Sequence, residues 1–307
     1  MELHHIIEAQ QFDVPTLLRL IETTQEMEKV VSGGGTSQFH GRIMATLFYE
    51  PSTRTRFSFE TAMHRLGGSV ISTENAAEFS SVAKGETLED TVRILNGYAD
   101  VLVLRHYEVG SAKRAASVSR IPVINAGDGA GQHPTQALLD LYTIHKEIGS
   151  IDGLRIAMVG DLAQGRTVRS LAYLLSKFQD IRIYFAAPPS LKMKEDILDH
   201  LREKQVWYTE ETDLDKVLPE VDVVYQTRIQ KERFGDRLAD YEQCRGVYVI
   251  NSESLRLMKA RAIVMHPLPR LDEIAMEVDS DPRAAYFRQA QNGLYVRMAL
   301  LSMVLRG

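Results

Sequence analysis

The chain has 307 residues, with 36 Lys and Arg against 41 Asp and Glu, which gives a formal net charge of −5. This acidic balance argues against a general binder of nucleic acid or of anionic membranes, although it is compatible with a local basic pocket. Because 307 residues exceed what one hydrophobic core usually supports, we expect two domains.

The cellular setting is constrained by the cysteine content and by the N-terminus. A single cysteine, Cys244, cannot form an intrachain disulfide, which is typical of proteins in a reducing compartment. The N-terminus has no basic region followed by a long apolar run, and no apolar stretch reaches the roughly 20 residues that cross a bilayer. We therefore expect a soluble, cytoplasmic protein with neither nucleic acid nor membrane as a partner.

Short apolar runs alternate with longer helical patterns along the chain, which indicates a parallel α/β architecture. We expect two open parallel sheets with helices on both faces and an active site in the cleft between the two domains. The first domain is predicted at 1–134 together with a C-terminal helix at 286–307, and the second at 135–285. The runs that we interpret as buried strands are 43–49, 101–104, 123–125, 155–159, 181–186, 221–226, 247–250 and 263–265.

Two of the predicted helices have clear local signals. Phe59, Met63 and Leu66 fall on one face of a helix, as the 3.6-residue period requires of a helix that packs on a core. Thr87 and Asp90 have the spacing of a capping box at the start of another helix.

Positively charged residues follow several of the predicted strands. Ligands of open α/β sheets bind outside the carboxyl ends of the strands, so residues in these positions are candidate ligand contacts. In an acidic protein, such a cluster predicts a site for a small ligand with several negative charges. The residues concerned are Arg54, Arg105, His133, Arg166, Arg228 and His266.

The segment 52–55 is the most specific of these candidates, because it joins a strand to a helix. Free backbone N–H groups and the positive end of the helix dipole would meet an anion there. The hydroxyls of Ser52, Thr53 and Thr55 add donors, and Arg54 offers a planar fork for phosphate oxygens. The alternative is that Ser52 is an ordinary N-cap and the arginines are solvated.

His133 begins a helix after a Gly-rich loop and is followed three residues later by Gln136. A lone histidine is more often structural, but one in this position could donate a hydrogen bond to a carbonyl oxygen that gains negative charge.

Several common cofactor motifs are absent from the sequence. The segment from Gly160 to Gly165 lacks the Gly-x-Gly-x-x-Gly spacing of dinucleotide-binding proteins, and no Walker motif occurs. No His or Cys group has metal-ligand spacing. We therefore predict no cofactor and no metal.

Seven separated segments resemble motifs of the aspartate and ornithine carbamoyltransferases. They occur in the order found in that family and span nearly the whole chain, which makes the resemblance very specific. They are Pro-Ser-Thr-Arg-Thr-Arg at 51–56, Lys-Gly-Glu at 84–86, Arg105, His-Pro-Thr-Gln at 133–136, Gly-Arg-Thr at 165–167, Gln-Thr-Arg-Ile-Gln at 226–230 and His-Pro-Leu-Pro-Arg at 266–270.

The resemblance implies transfer of the carbamoyl group of carbamoyl phosphate to L-aspartate, giving N-carbamoyl-L-aspartate and phosphate for pyrimidine biosynthesis. It assigns carbamoyl phosphate to the first predicted domain and aspartate to the second. The residues that it implies for the phosphate are Ser52, Thr53, Arg54, Thr55 and Arg105. For the carbonyl oxygen they are Thr55, Arg105 and His133, and for the amino group Gln136 and the main chain of Leu268 and Pro269.

For the two carboxylates of aspartate, the resemblance implies Arg166, Arg228 and Gln230. Ser80 and Lys84 lie on a loop that in the family reaches the site of a neighbouring subunit, which implies a homotrimer with shared sites. Lys84 is thereby also an aspartate contact, and with Arg54, Thr55, Arg105 and His133 it forms the implied catalytic set. Whether regulatory chains or a dihydroorotase accompany the trimer is not decided by the sequence.

Three alternative functions are considered. An ornithine carbamoyltransferase would carry a His-Cys-Leu-Pro segment, whereas this chain has His-Pro-Leu-Pro at 266–269, and two arginines suit the two carboxylates of aspartate better. The others are an inactive homologue that scaffolds an assembly and a binding module for sugar or nucleotide phosphates. We also expect Arg56 to form structural ion pairs, and Glu50 to bridge to an arginine across the cleft when the domains close, with Arg166 and Arg233 as candidates.

Overall fold

The structure is a computed structural model that describes residues 3–76, 85–229, 244 and 246–306. It separates into two compact units, of which the first comprises Met1–Tyr142 with Gln291–Gly307 and the second Thr143–Ala290. No helix in the described part of the chain is long and apolar enough to cross a membrane.

The first unit contains a sheet whose four described strands are all parallel, in the order β2-β1-β3-β4. Its strands are β1 (Ile43–Phe48), β2 (Ser69–Glu74), β3 (Val101–His106) and β4 (Val123–Asp128). Ile6 adds a parallel bridge beside β4, where its N–H donates to the Val123 carbonyl (2.8 Å) and its carbonyl accepts from the Asn125 N–H (2.7 Å). The N-terminal segment therefore covers an edge that would otherwise be open.

The second unit contains a parallel sheet with five described strands in the order β7-β6-β5-β8-β9. Its strands are β5 (Arg155–Val159), β6 (Arg182–Ala186), β7 (Trp207–Glu211), β8 (Val223–Gln226) and β9 (Ile263–Met265). Two open parallel α/β sheets confirm the predicted fold class. Each sheet packs on its own cluster of buried apolar side chains.

The helices fill the crossovers between successive strands, as parallel strands require. Those of the described residues are α1 (Val14–Ser32), α2 (Thr53–Arg65), α3 (Leu88–Leu95), α4 (Ser111–Val118), α5 (Pro134–Ile148), α6 (Arg166–Leu175), α7 (Glu195–Glu203), α8 (Leu214–Val217), α9 (Ser252–Leu257) and α10 (Tyr286–Leu305). The two divisions between the units fall inside α5 and α10 and not in extended linkers.

The helix signals in the sequence correspond to observed features. Phe59, Met63 and Leu66 are all fully buried, as one face of α2 and its C-cap. The Thr87 side chain accepts the N–H of Asp90 (3.1 Å) at the start of α3, which confirms the N-cap.

The strand predictions succeeded for strands with a continuous apolar run and failed for two polar edge strands. The runs at 155–159 and 263–265 coincide with β5 and β9. By contrast, β2 and β7 were missed, because both are edge strands with half-exposed, polar sequences that lack a continuous apolar run. The run at 247–250 is not a strand; only Ile250 makes an isolated bridge, to Ile274.

Core packing in the first unit can be tested on α1 with two adjacent leucines. Leu17 is fully buried, whereas the side chain next to it, Leu18, is 47% exposed. We expect Leu17→Ala to lower the free energy of unfolding by about 2–5 kcal/mol, since it leaves a cavity. The matched control Leu18→Ala should change it by no more than about 0.5 kcal/mol. Urea unfolding followed by circular dichroism measures both, and equal losses would contradict the assignment of the buried face.

Candidate active site

In the first sheet, β1 and β3 are neighbours, and their carboxyl ends lie side by side. Phe48 pairs with Arg105, and the N–H of Tyr49 donates to the Arg105 carbonyl (2.8 Å). The chain leaves β1 in the direction of β2 and leaves β3 in the direction of β4, which makes this point a topological switch. Open α/β sheets bind ligands at such points. Arg105 therefore lies beside the segment that leads from β1 into α2.

The N-terminus of α2 presents donors that the helix itself does not use. Ser52 occupies the N-cap position with an extended backbone, but its side chain makes no capping hydrogen bond. No acidic residue lies in the first turn, where Thr53 and Arg54 are exposed and Thr55 is buried. Ser52 is thus the N-cap of α2 by position, as the alternative interpretation has it, but its hydroxyl is not used to cap the helix. The first-turn N–H groups and the helix dipole together favour an anion here.

Glu74, at the end of β2, holds this segment in place. Its Oε1 accepts the backbone N–H of Ser52 (3.4 Å), and its Oε2 lies 3.1 Å from Nη2 of Arg56. Arg56 also lies 3.9 Å from Glu60 in the next turn of α2. These contacts confirm that Arg56 forms structural ion pairs. The edge strand β2 thereby fixes the start of α2 relative to the sheet.

Arg105 is a largely buried cation with an incomplete set of partners. Its Nη2 lies 3.4 Å from Oε2 of Glu50, and its Nη1 donates to the carbonyl of Ala126 (3.4 Å). Its Nε is buried without a hydrogen-bond partner among the described residues. Burial lowers the pKa of Arg105, the negative charge of Glu50 opposes this, and the nearby Arg54 adds to the lowering. An anion bound between Arg54 and Arg105 would relieve this repulsion.

Within the first unit, the arginine that Glu50 reaches is Arg105. Sequence reasoning had named other candidates, because the pairing of β1 with β3 cannot be read from the local pattern. Glu50 is 34% exposed at its side chain, and it lies next to the predicted anion site. It is thus a built-in counter-charge that an anionic ligand would have to displace or share.

His133 and Gln136 lie at the start of α5. His133 is buried, and its carbonyl accepts the N–H groups of Gln136 (3.1 Å) and Ala137 (3.2 Å). The Gln136 side chain donates from Nε2 to Oδ1 of Asp140 (2.9 Å), one helical turn later. Because the amino group of Gln136 points to Asp140, the amide oxygen of Gln136 can accept a hydrogen bond from a ligand N–H.

In the loop before His133, Gly129 has a φ of 54°, and a Cβ there would lie 2.3 Å from the Tyr107 carbonyl.

Asp140 is fully buried and interacts electrostatically with Arg297 of α10. Burial lowers the pKa of Arg297 to about 10, and the negative charge of Asp140 opposes that shift. The Arg297 guanidinium also lies over the ring of Phe59, 5.1 Å from its centroid. Two buried groups of opposite charge attract each other more strongly than exposed ones, because water and salt screen them less. The pair ties α10 to α5 within the first unit.

The second sheet has its own switch point, between β5 and β8. Thr227 donates from both N–H (2.9 Å) and Oγ1 (2.8 Å) to the carbonyl of Val159. Gly160 has a φ of 106°, and a Cβ there would lie 2.4 Å from the Thr227 carbonyl, so only glycine fits. Arg166 begins α6 after β5, and Arg228 follows β8. The two arginines among the predicted aspartate contacts, each half-buried, therefore follow strands that meet at one switch point.

His266, which follows β9, does not belong to the predicted cationic cluster. It is 1% exposed at its side chain, and its Nε2 lies 2.7 Å from Oε1 of Glu273. Burial lowers the pKa of His266, Glu273 opposes the shift, and Arg270 and Arg228 add to it. The interpretation of His266 as a contact for an anion is therefore wrong. Glu273 was missed because its proximity depends on the turn between the two residues.

The turn after His266 has an unusual backbone. Leu268 has a φ of 56°, in the left-handed region, and the Leu268–Pro269 peptide bond is cis. The left-handed region costs about 1–2 kcal/mol for a residue with a side chain, so it persists only where neighbouring contacts hold it. Leu268 is half-buried and Pro269 is exposed.

The remaining predicted residues, Ser80, Lys84 and Gln230, lie outside the described residues, as does Arg233. Among the residues that are described, no group of three or more His, Cys, Asp or Glu side chains could hold a metal ion. The structure thus brings Arg54, Thr55 and Arg105 to one switch point, with His133 and Gln136 in the same unit.

The chain matches two family models in succession. Residues 4–146 match the carbamoyl-P binding domain of the aspartate/ornithine carbamoyltransferases, and residues 152–304 match their Asp/Orn binding domain. A chloroplastic aspartate carbamoyltransferase of Pisum sativum is 60% identical over 307 residues, covering 100% of this chain and 80% of the relative.

Solved structures give the same result. The catalytic subunit of aspartate transcarbamoylase from M. jannaschii superposes with a TM-score of 0.93 at 48% identity, covering 99% of this chain and 98% of that one. The enzyme of Trypanosoma cruzi in complex with carbamoyl phosphate and aspartate gives a TM-score of 0.93 at 45% identity, covering 99% and 97%.

The relatives also correct one expectation. The similar proteins from pea, Arabidopsis and rice are chloroplastic, which contradicts the prediction of a cytoplasmic protein. The prediction failed because a chain with one cysteine lacks an intrachain disulfide in any compartment, so the cysteine count does not discriminate between them. From the two successive matches and the similarity along the whole chain, it follows that the chain belongs to the aspartate/ornithine carbamoyltransferase family.

Proposed function

We propose that this protein transfers the carbamoyl group of carbamoyl phosphate to L-aspartate, giving N-carbamoyl-L-aspartate and phosphate in pyrimidine synthesis. The observation that carries the proposal is the presence of arginines at the switch point of each sheet, Arg54 with Arg105 in one and Arg166 with Arg228 in the other. Relatives at 60% identity are named aspartate carbamoyltransferases, and one solved relative holds carbamoyl phosphate and aspartate.

Carbamoyl phosphate is assigned to residues 1–134 with 286–307. Its phosphate fits the N-terminus of α2, where main-chain N–H groups, the hydroxyls of residues 52, 53 and 55 and the guanidinium of Arg54 follow one another in sequence. The pairing of β1 with β3 adds Arg105 beside this segment. The groups assigned to the phosphate are Ser52, Thr53, Arg54, Thr55 and Arg105. Thr55, Arg105 and His133 are assigned to the carbonyl oxygen, and Gln136 with the main chain of Leu268 and Pro269 to the amino group.

Aspartate is assigned to residues 135–285, with Arg166, Arg228 and Gln230 as contacts. Arg166 begins α6, so the positive end of that helix adds to the attraction for a carboxylate. Ornithine has two amines and one carboxylate and would place a positive charge near these arginines, which a site of this charge disfavours by several kcal/mol. The charge of the second unit's switch point therefore favours aspartate.

The reaction needs no covalent enzyme intermediate. The neutral amine of aspartate attacks the carbonyl carbon, a C–N bond forms, and a tetrahedral oxyanion develops that Thr55, Arg105 and His133 stabilise by about 3 kcal/mol per well-placed donor. The C–O bond to phosphate then breaks, Arg54 neutralises the departing oxygen, and the amine proton leaves with the phosphate. Holding two anions in attack geometry supplies much of the remaining acceleration.

The active unit in this proposal is a homotrimer in which Ser80 and Lys84 enter the site of a neighbouring subunit. Lys84 would then offset the repulsion between the two anionic substrates. The proposal that each active site contains residues from two subunits is tested by mixing an inactive Arg54→Ala variant with an inactive Lys84→Ala variant. Some mixed trimers would contain one site with both residues intact and regain activity, whereas sites built from one chain would stay inactive.

The choice of acceptor is tested by product analysis. The purified chain is incubated with carbamoyl phosphate and, separately, L-aspartate, L-ornithine or putrescine, and each carbamoylated product is quantified. We expect carbamoyl aspartate alone, because two arginines match two carboxylates. Carbamoyl ornithine would contradict the assignment of the second unit, and no product from any acceptor would favour an inactive scaffold.

Two arginine substitutions separate the half-sites. Arg54→Ala should reduce kcat at least about 100-fold, since the charge on the leaving oxygen loses its counter-charge. Arg228→Ala should chiefly raise the KM for aspartate, by about 30-fold or more, because a carboxylate loses a charged partner. The controls are Arg120→Ala and Arg202→Ala, both at exposed arginines. Near-normal turnover of Arg54→Ala in steady-state kinetics would refute the phosphate assignment.

The role of Glu50 as a counter-charge is tested by phosphate binding. Glu50→Gln removes the negative charge beside Arg105, so the Kd for phosphate should fall about two- to fivefold, as expected for a partly exposed ion pair. The control Glu108→Gln removes an exposed carboxylate that pairs with Arg114 instead. Isothermal titration calorimetry measures both, and weaker phosphate binding to Glu50→Gln would exclude this role.

A further inference from the structure

Both ring nitrogens of His266 are engaged inside the second unit. Nδ1 lies 2.8 Å from the backbone N of Leu268, and Nε2 lies 2.7 Å from Oε1 of Glu273. The side chain is 1% exposed, so neither nitrogen is available to solvent or to a ligand. His266 therefore acts within the protein and not directly on a substrate.

The two partners fix which nitrogen carries the proton. The N–H of Leu268 is a donor, so Nδ1 must be the acceptor and bears no hydrogen. The proton of the neutral ring is then on Nε2, which donates it to the Glu273 carboxylate. Burial opposes ionisation of Glu273, but the hydrogen bond from His266 helps to hold the pKa of Glu273 below its usual value. The pair is thus a neutral imidazole and an ionised carboxylate.

The same pair holds the turn at further points. Oε2 of Glu273 accepts the N–H of Leu271 (3.1 Å), and the backbone N–H of His266 donates to Oε1 of Gln289 (2.8 Å). Leu268 lies between these hydrogen-bonded positions and has a φ of 56°. The side chains of His266, Glu273 and Gln289 thus hold the backbone on both sides of Leu268, and a left-handed residue with a side chain needs such contacts.

The carbonyl of Leu268 has a different environment from its N–H. Within the described part of the chain, no N–H or O–H group donates to it. The Leu268 N–H and the Leu268 carbonyl belong to successive planar peptide groups, which are joined by the φ and ψ of Leu268. With the N–H held by His266 and φ in the small left-handed region, the direction of this carbonyl is restricted to a narrow range. A carbonyl with free lone pairs can accept a hydrogen bond from the amino group of a bound carbamoyl compound.

We propose that His266 and Glu273 are positioning residues that shape the turn at 266–271 so that the Leu268 carbonyl is held ready for the carbamoyl amino group. This rests on the proposed function, in which the main chain at Leu268 contacts carbamoyl phosphate. Within this pair, the unprotonated Nδ1 of His266 positions the turn, because it accepts the Leu268 N–H. Glu273 contributes by accepting the proton of Nε2, which keeps Nδ1 free to accept. The charged groups that face His266 are Glu273, Arg270 and Arg228.

Two substitutions of His266 separate the two ring nitrogens. The amide oxygen of an asparagine can take the place of Nδ1 and accept the Leu268 N–H, whereas the amide of a glutamine reaches only the place of Nε2. We expect His266→Gln to raise the KM for carbamoyl phosphate about tenfold, as the loss of one oriented hydrogen bond predicts, with little change in the KM for aspartate. His266→Asn should stay within about threefold of the unaltered chain.

The control His40→Gln alters an exposed histidine of the first unit and should leave both KM values unchanged. Equal KM values for His266→Asn and His266→Gln would overturn the proposal, since the Nδ1 acceptor would then have no separate role. Circular dichroism of each variant establishes that the comparison is made between folded proteins.

A second measurement does not depend on any variant or on activity. Nitrogen-15 NMR of the histidine-labelled chain should show His266 as a neutral ring protonated at Nε2 at pH 7. A ring protonated at Nδ1, or a cationic ring, would overturn the positioning role. If the unaltered chain formed no carbamoyl aspartate, the proposed function would fail, whereas this spectrum would still decide the arrangement of His266.

Discussion

The structure depends on a constraint of parallel sheets: two neighbouring strands whose chains depart in opposite directions leave their carboxyl ends side by side. Here that constraint operates twice, between β1 and β3 and between β5 and β8. Each pair is locked by backbone bonds at the strand ends, from Tyr49 to Arg105 and from Thr227 to Val159. Residues far apart in sequence thereby reach one edge of a sheet. The proposed substrate contacts of each unit lie at these two edges.

The arginines at the carboxyl ends of β1 and β3 repel each other, and nearby residues of the first unit reduce that repulsion. Arg105 is largely buried and close enough to Arg54 for the two charges to interact unfavourably. Glu50 supplies a nearby negative charge, and Glu74 with Arg56 fixes the backbone from which Arg54 projects. These contacts hold the donors of the proposed anion site in place without neutralising its positive charge. Such preorganisation lowers the free-energy cost of arranging donors when the anion arrives.

The sequence was sufficient to predict the two parallel sheets, the central strands and the family, because these follow from continuous apolar runs and from ordered motifs. It failed for β2 and β7, whose half-exposed edge positions tolerate polar residues. The interpretation of His266 from the sequence was also wrong, because a histidine after a strand gives no sign that a carboxylate seven residues later pairs with it. The contact of Glu50 with Arg105 was likewise not predicted, because it depends on the strand order that places β3 beside β1. Local pattern predicts elements, whereas these pairings depend on tertiary contacts.

The electrostatic interaction of Asp140 with Arg297 affects the order in which the two units can complete their folding during synthesis. The second unit is a continuous insertion, since residues 291–307 complete a unit that began at the N-terminus. Asp140 is fully buried in the finished unit and interacts electrostatically with Arg297, a residue that the ribosome adds only after the whole second unit. Until then, the nascent first unit contains a carboxylate whose counter-charge does not yet exist. The insertion can therefore complete its own core while the unit that surrounds it in sequence is still waiting for its final helix.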